Sequence, residues 1–123
     1  MALRWGIFGA SKIAKDFILA VQTLPPGEHE VIAIGSQSES RAKSFAMDNG
    51  VPNWYGSYEE VVRNAEVQVV YVAGNTGSHA ECCKLALNHG KHVLCEKSFA
   101  LNVRQAKEVL ELAKEKKLFL MEV

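Results

Sequence analysis

The stretch Leu3-Arg4-Trp5-Gly6-Ile7-Phe8-Gly9-Ala10-Ser11-Lys12-Ile13-Ala14 decides how the rest of the chain is read. Leu3–Phe8 is short and rich in large apolar residues, as a strand is. It runs straight into Gly9. From Ile13 onward, Phe17, Val21 and Leu24 recur at helical spacing until Pro25-Pro26-Gly27 stops them. Strand, glycine turn and helix in that order open a β-α-β unit. In G-x-G-x-x-G/A terms, Gly9 supplies the tight turn and Ala14 lets the helix lie close to the sheet. Ser11 stands at the second glycine. Such a turn aims unpaired N–H groups and the positive end of the helix dipole at an anion. Gly9, Ala10, Ser11, Lys12 and Ile13 are therefore the expected cradle for a dinucleotide pyrophosphate. Two readings of Ser11 stand: its hydroxyl adds a donor, or its side chain crowds the phosphate.

Outward from this unit the pattern repeats. Residues 31–34 are a continuous apolar run, the mark of a strand buried on both faces. Ser38 or Ser40 can cap a helix carrying Ala42, Phe45 and Ala46, which Asn49-Gly50 ends. Ser57 can cap a short helix, with Glu60 in the capping-box position and Val61 and Val62 behind it. Residues 67–72 read as a third strand. Ser78 opens a helix rich in small apolar residues, closed by Gly90. His92–Cys95 is a fourth strand. Asn102 opens a long helix with Val103, Ala106, Val109, Leu110 and Ala113 on one face, and residues 118–121 are a fifth strand.

The order β-α-β-α-α-β-α-β-α-β means a parallel sheet covered by crossover helices. We expect one α/β domain over residues 1–123, a doubly wound parallel sheet of the Rossmann dinucleotide-binding type. In such sheets the ligand lies beyond the carboxyl ends of the strands. The loops after Phe8, Ile34, Val72 and Cys95 should meet there.

Composition agrees and excludes other classes. The 123 residues fit one domain, and 48% are apolar, enough for a core. Fourteen basic residues balance fourteen acidic ones, with no basic stripe for nucleic acid or a membrane surface. The longest apolar run, around residues 67–73, is too short to span a bilayer. Arg4 interrupts the first apolar stretch, so it does not read as a signal peptide. Cys82, Cys83 and Cys95 form no metal pattern, and the adjacent pair suits no mutual disulfide. Free thiols in a reducing cytosol, and so a cytoplasmic location, are expected.

Three further places carry candidate chemistry. After the second strand an NAD site wants a carboxylate for the ribose 2′-hydroxyl. Here Ser36 and Gln37 stand instead, with Ser38 and Arg41 nearby. Arg41 either meets a 2′-phosphate or makes a surface contact. The fourth strand ends in Glu96-Lys97, facing the expected cleft. Lys97 can hydrogen-bond a substrate oxygen, or the pair is a strand-end ion pair. His79, at the start of the helix after the third strand, either touches substrate or cofactor, or caps and packs. His29, His89 and His92 are assigned nothing.

Taken together, these segments resemble the glucose–fructose oxidoreductase/inositol dehydrogenase family. The resemblance covers essentially the whole chain. It rests on Leu3-Arg4-Trp5-Gly6-Ile7, Ser40-Arg41-Ala42-Lys43 and Tyr55-Gly56-Ser57-Tyr58-Glu59-Glu60. It rests most on Gly90-Lys91-His92-Val93-Leu94-Cys95-Glu96-Lys97, followed by Leu118-Phe119-Leu120-Met121-Glu122.

The resemblance implies an oxidoreductase using NADP, with NAD possible, on a sugar or cyclic diol. It implies Lys97 as the catalytic lysine, binding substrate and moving a proton, and Glu96 beside the nicotinamide ribose. Asn75 is expected on the cofactor wall. The chain departs from the family at four places. Ser98 replaces a proline, Ser11 replaces a glycine, and Gly74-Asn75-Thr76-Gly77 replaces a Thr-Pro segment. Gln37 stands where many NADP-using members carry arginine. The family's second domain, which holds substrate and mediates a homodimer, has no counterpart here. The expectation is a cofactor-binding half, inactive alone. The second reading is a non-catalytic dinucleotide-binding or protein-interaction module derived from the same family.

Overall fold

The computed structural model describes residues 2–97 and 100–123. In chain order the elements are β1 (Leu3–Phe8), α1 (Lys12–Gln22), β2 (His29–Gly35), α2 (Glu39–Asn49), β3 (Asn53–Tyr55) and α3 (Tyr58–Arg63). There follow β4 (Val69–Val72), a 3₁₀ turn (Thr76–Ser78), α4 (His79–Asn88), β5 (His92–Cys95), α5 (Val103–Lys116) and β6 (Leu120–Glu122). The strands form one sheet in the order β3-β2-β1-β4-β5-β6, and every pairing is parallel. Strand order reverses between β1 and β4, which puts the switch point beside the Gly9 turn. The doubly wound α/β architecture expected from the sequence is thus the one observed.

Local chemistry sets the boundaries. Ser38, and not Ser40, caps α2: its Oγ accepts from Arg41 N at 3.4 Å. Gly50 ends that helix in the left-handed region at φ 71°. Ser57 Oγ accepts from Glu60 N at 3.3 Å and donates to Glu60 Oε1 at 3.0 Å, a variant of the capping box. Asn102 caps α5 through Gln105 N at 2.9 Å. Ser78 precedes α4 without a side-chain cap bond, and its hydroxyl donates to Asn75 O at 2.9 Å.

Several sequence expectations are corrected. The sheet has a strand, β3, that periodicity does not reveal: three residues are too few to alternate. Asn53 pins it, its side-chain amide donating to Ile32 O at 2.9 Å. β4 begins at Val69, not at residue 67, and β6 begins at Leu120, not at residue 118. Leu118 belongs to the close of α5, its N–H bonded to Ala113 O at 2.9 Å behind Lys117 at φ 57°. On α5 the buried stripe is Val109 and Ala113, while Val103 is 82% exposed and Leu110 faces out. On α1 the buried residues are Ala14 and Ile18; Ile13 lies at the surface, as does Leu24 beyond the helix end at Gln22.

Two cores sandwich the sheet. α3, α4 and α5 cover one face with Val61, Ala86, Leu87 and Val109 against Phe8, Val70 and Val93. α1 and α2 cover the other with Ala14, Ile18 and Ala46 against Ile7, Ile34 and Tyr71. That second face is helix-covered only toward β2. Toward β5 and β6 an apolar groove of about 390 Å3 lies open, lined by Leu3, Trp5, Val69, Leu94, Phe119 and Met121 among others. Cys82, Cys83 and Cys95 are free thiols and all three are buried. Burial pushes the Cys82 thiol up to about 11. No helix among the described residues is long and apolar enough to cross a membrane.

Candidate functional site

Three of the four expected loops meet in one cleft. The turn after β1 contributes Gly9, Ala10 and Ser11, and the turn after β2 contributes Ser36, Gln37 and Ser38, with Arg41 from α2. The loop after β4 contributes Ala73, Gly74 and Asn75, and α3 adds Tyr58. The cleft holds about 360 Å3. Lys12, Ile13, His79, Glu96 and Lys97 lie outside this lining.

Backbone bonds lock the loops together. Gly9 N donates to Gly35 O at 2.8 Å, Ala73 N to Phe8 O at 2.9 Å, and Ser36 N to Tyr55 O at 3.1 Å. Gly9 has φ +106°, which side-chain-bearing residues rarely adopt. A Cβ there would also lie 2.7 Å from Gly74 Cα and 2.8 Å from Gly74 N. Gly9 is therefore required twice, by its torsion and by the close approach of the next loop. Gly74 is constrained in turn, since a Cβ on it would sit 2.9 Å from the Tyr58 hydroxyl.

Ser11 is committed within the protein. Its Oγ donates to Ala73 O at 3.0 Å and accepts from Ala14 N at 3.2 Å as the cap of α1. Its one proton serves to tie the two loops. The first N–H groups of α1, those of Lys12 and Ile13 among them, have no helical acceptor by geometry and open toward the cleft end of the helix. The Lys12 and Ile13 side chains are exposed.

In the second loop, Ser36 is buried and its Oγ accepts from Ser38 N at 3.3 Å. That bond uses the oxygen and leaves the proton to donate. Gln37 is exposed. Arg41 is the only charged residue lining the cleft among the described residues, and its guanidinium has no ion-pair partner among them. Asn75 is exposed; its Oδ1 accepts from Gly77 N at 3.0 Å, which leaves the amide nitrogen as its outward donor.

His79 is 1% exposed. A carbonyl can only accept, so Nε2 donates to Gly74 O at 3.0 Å and holds the loop that closes over Gly9. At the end of β5, Glu96 is half-buried and receives the Tyr71 hydroxyl on Oε2 at 2.6 Å. Lys97 is exposed and forms no ion pair with Glu96 or with any other described residue. Ser98, the substitution for proline, lies outside the described residues.

Two residues of the site escaped the sequence reading. Tyr58 stacks on Phe8 at 4.6 Å and 13°, and burial, with Cys82 nearby, raises its phenol above the usual tyrosine range. Its only signal is an aromatic placed directly after the capping Ser57. Tyr71 lies within an apolar strand that gives no hint of a polar task.

A pyrophosphate turn at the switch point of a 3-2-1-4-5-6 sheet defines a dinucleotide-binding domain. The profile of the oxidoreductase family with an NAD-binding Rossmann fold matches residues 3–123, and the chain belongs to that family. It is 43% identical over 122 residues to human trans-1,2-dihydrobenzene-1,2-diol dehydrogenase, covering 99% of this chain and 36% of that protein. The Xenopus tropicalis enzyme of the same name is 40% identical, with 99% and 37% covered. The chain thus spans little more than a third of the length of these curated relatives. Among solved structures, an NAD binding oxidoreductase from Klebsiella pneumoniae superposes with a TM-score of 0.93 at 26% identity, over 100% of this chain and 34% of that one. A 3-ketoreductase from Actinomadura kijaniata, in complex with NADP and TDP-benzene, gives 0.91 at 35% identity, over 99% and 37%.

Proposed function

We propose that this chain is the cofactor-binding half of an oxidoreductase that prefers NADP(H) to NAD(H) and acts on a sugar or cyclic diol. The observation that carries the cofactor preference is the charge of the cleft. Arg41 is its only charged lining residue among the described ones, and no carboxylate stands where a 2′-phosphate would be repelled. The cradle fits a pyrophosphate, because the glycine turn leads into the α1 N-terminus, whose first N–H groups have no helical acceptor and open at the cleft lined by Gly9, Ala10 and Ser11.

When bound, the nicotinamide supplies the hydride acceptor or donor. The α1 N-terminus offers N–H groups to the pyrophosphate. Ser36 donates to the adenosine ribose, and Arg41 faces its 2′-phosphate, with Gln37 and Asn75 on the rim. His79 acts through the Gly74 loop. Glu96 accepts from the nicotinamide ribose. Lys97, exposed and without a described partner, hydrogen-bonds the reacting oxygen of the substrate and moves its proton. The names of the curated relatives support a cyclic diol as the substrate, and the NADP complex of the 3-ketoreductase supports the cofactor. The test is a fluorescence titration of the purified chain with NADPH and with NADH. NADPH is expected to bind more tightly, by a modest margin because Gln37 is neutral. Tighter NADH binding overturns the preference.

A further inference from the structure

Tyr71 is 3% exposed in the middle of β4, on the sheet face covered by α1. Its ring is stacked on Phe17 at 4.2 Å and 19°, and Phe17 meets Trp5 edge-on at 5.1 Å. A ring held on its face this way has little freedom in where its hydroxyl points. In the β4–β5 register Tyr71 pairs with Leu94, and Glu96, just past the end of β5, continues the alternation on the same face, its N–H bonded to Val72 O at 3.0 Å. The hydroxyl reaches diagonally to Glu96 Oε2 at 2.6 Å, the short distance of an O–H bond to a carboxylate. No described residue donates to Glu96 Oε1.

We infer that Tyr71 is a positioning residue: it holds Glu96 by Oε2 and leaves Oε1 as the acceptor for a ribose hydroxyl of the bound dinucleotide. The inference rests on the reading of Glu96 as a cofactor contact. Burial raises the Tyr71 phenol well above the tyrosine range, and Glu96, Cys95 and Asp16 of α1 push in the same direction. The phenol therefore stays a donor throughout the working pH range. Without it, a carboxylate at the end of β5 samples several rotamers, and ordering one of them is charged against cofactor binding.

The experiment is a double-mutant cycle on the chain, read by NADPH affinity. Tyr71→Phe keeps the stacked ring and removes only the hydroxyl. Tyr71→Phe and Glu96→Gln are each expected to weaken NADPH about three- to tenfold, the scale of one hydrogen bond. The double variant is expected to be no weaker than Glu96→Gln within about twofold, because Tyr71 acts only through Glu96. Multiplying losses overturn the positioning role and leave the Glu96 reading intact. An unchanged affinity in Glu96→Gln, or no NADPH binding by the unaltered chain, overturns both. A second measurement needs neither cofactor nor Tyr71→Phe. Proton NMR of the unaltered chain should show a slowly exchanging downfield hydroxyl resonance from Tyr71 that moves in Glu96→Gln. Its absence overturns the pairing.

Discussion

At the β1 side of the carboxyl edge, the loops after β1, β2 and β4 hold one another through backbone bonds, and Ser11 spends its only proton on Ala73 O. At the β5 side, Lys97 stands exposed with no described ion-pair partner. The first region is shaped by glycines and carbonyls, whose positions do not depend on rotamers. The second depends on one long flexible side chain and on a carboxylate tethered from below. On the proposed reading, binding geometry is built into the fold, whereas the candidate lysine has to be ordered by whatever meets it.

That contrast sets what each substitution should do. The largest effect is expected at Lys97. In a protein joining this domain to the remainder of one of its longer relatives, Lys97→Met should cut turnover by about 10²–10⁴-fold, with NADPH affinity nearly unchanged. Steady-state kinetics beside a binding titration would check it, and turnover within a few-fold of normal removes Lys97 from the chemistry. Gly9→Ala should be next, and it should act on the fold as well as on binding. A side chain at φ +106° costs about 1–3 kcal/mol, and overpacking against Gly74 adds a similar amount. Urea unfolding should show the lower midpoint, with NADPH binding lost.

Smaller effects should follow on the binding side. Arg41→Ala should weaken NADPH about tenfold and leave NADH nearly where it was, since only the former offers a charge-assisted bond. Equal losses for both cofactors would place Arg41 away from the 2′-phosphate. Ser11→Ala should cost about 1 kcal/mol of stability, the value of a helix cap, and should change cofactor affinity little. A large affinity loss there would mean that the hydroxyl reaches the phosphate after all.

The same contrast explains what was legible from residues alone. The alternation of strands with helices, and the Gly9 turn between Phe8 and Ser11, are local patterns, and they located the β1 loop, the Ser36 loop and Asn75 on one cleft. β3 was not legible, because Asn53, Trp54 and Tyr55 pair with β2 through register rather than through any pattern of their own. Tyr58 was hidden because its place over Phe8 depends on α3 docking under the sheet. The bond from Tyr71 to Glu96 joins residues 25 apart in sequence and could only come from strand pairing. Position alone left His79 with two readings, a contact to substrate or cofactor and a capping or packing role. Its near-complete burial follows from the 3₁₀ turn before α4, which tucks the imidazole under Gly74 O.

The open groove across β5 and β6 has a practical consequence for the domain in solution. Phe119 is 59% exposed and Met121 50% exposed beside Leu94, at the edge of a parallel sheet. Uncovered apolar strips attract one another, and charge is the usual force that keeps them apart. Here the formal charge at pH 7 is zero, so at neutrality there is no net repulsion to oppose that attraction. Colloidal behaviour should therefore be governed by pH and salt more than by fold stability. Light scattering from concentrated samples should be highest near neutrality and should fall when the medium is moved a unit or two to either side.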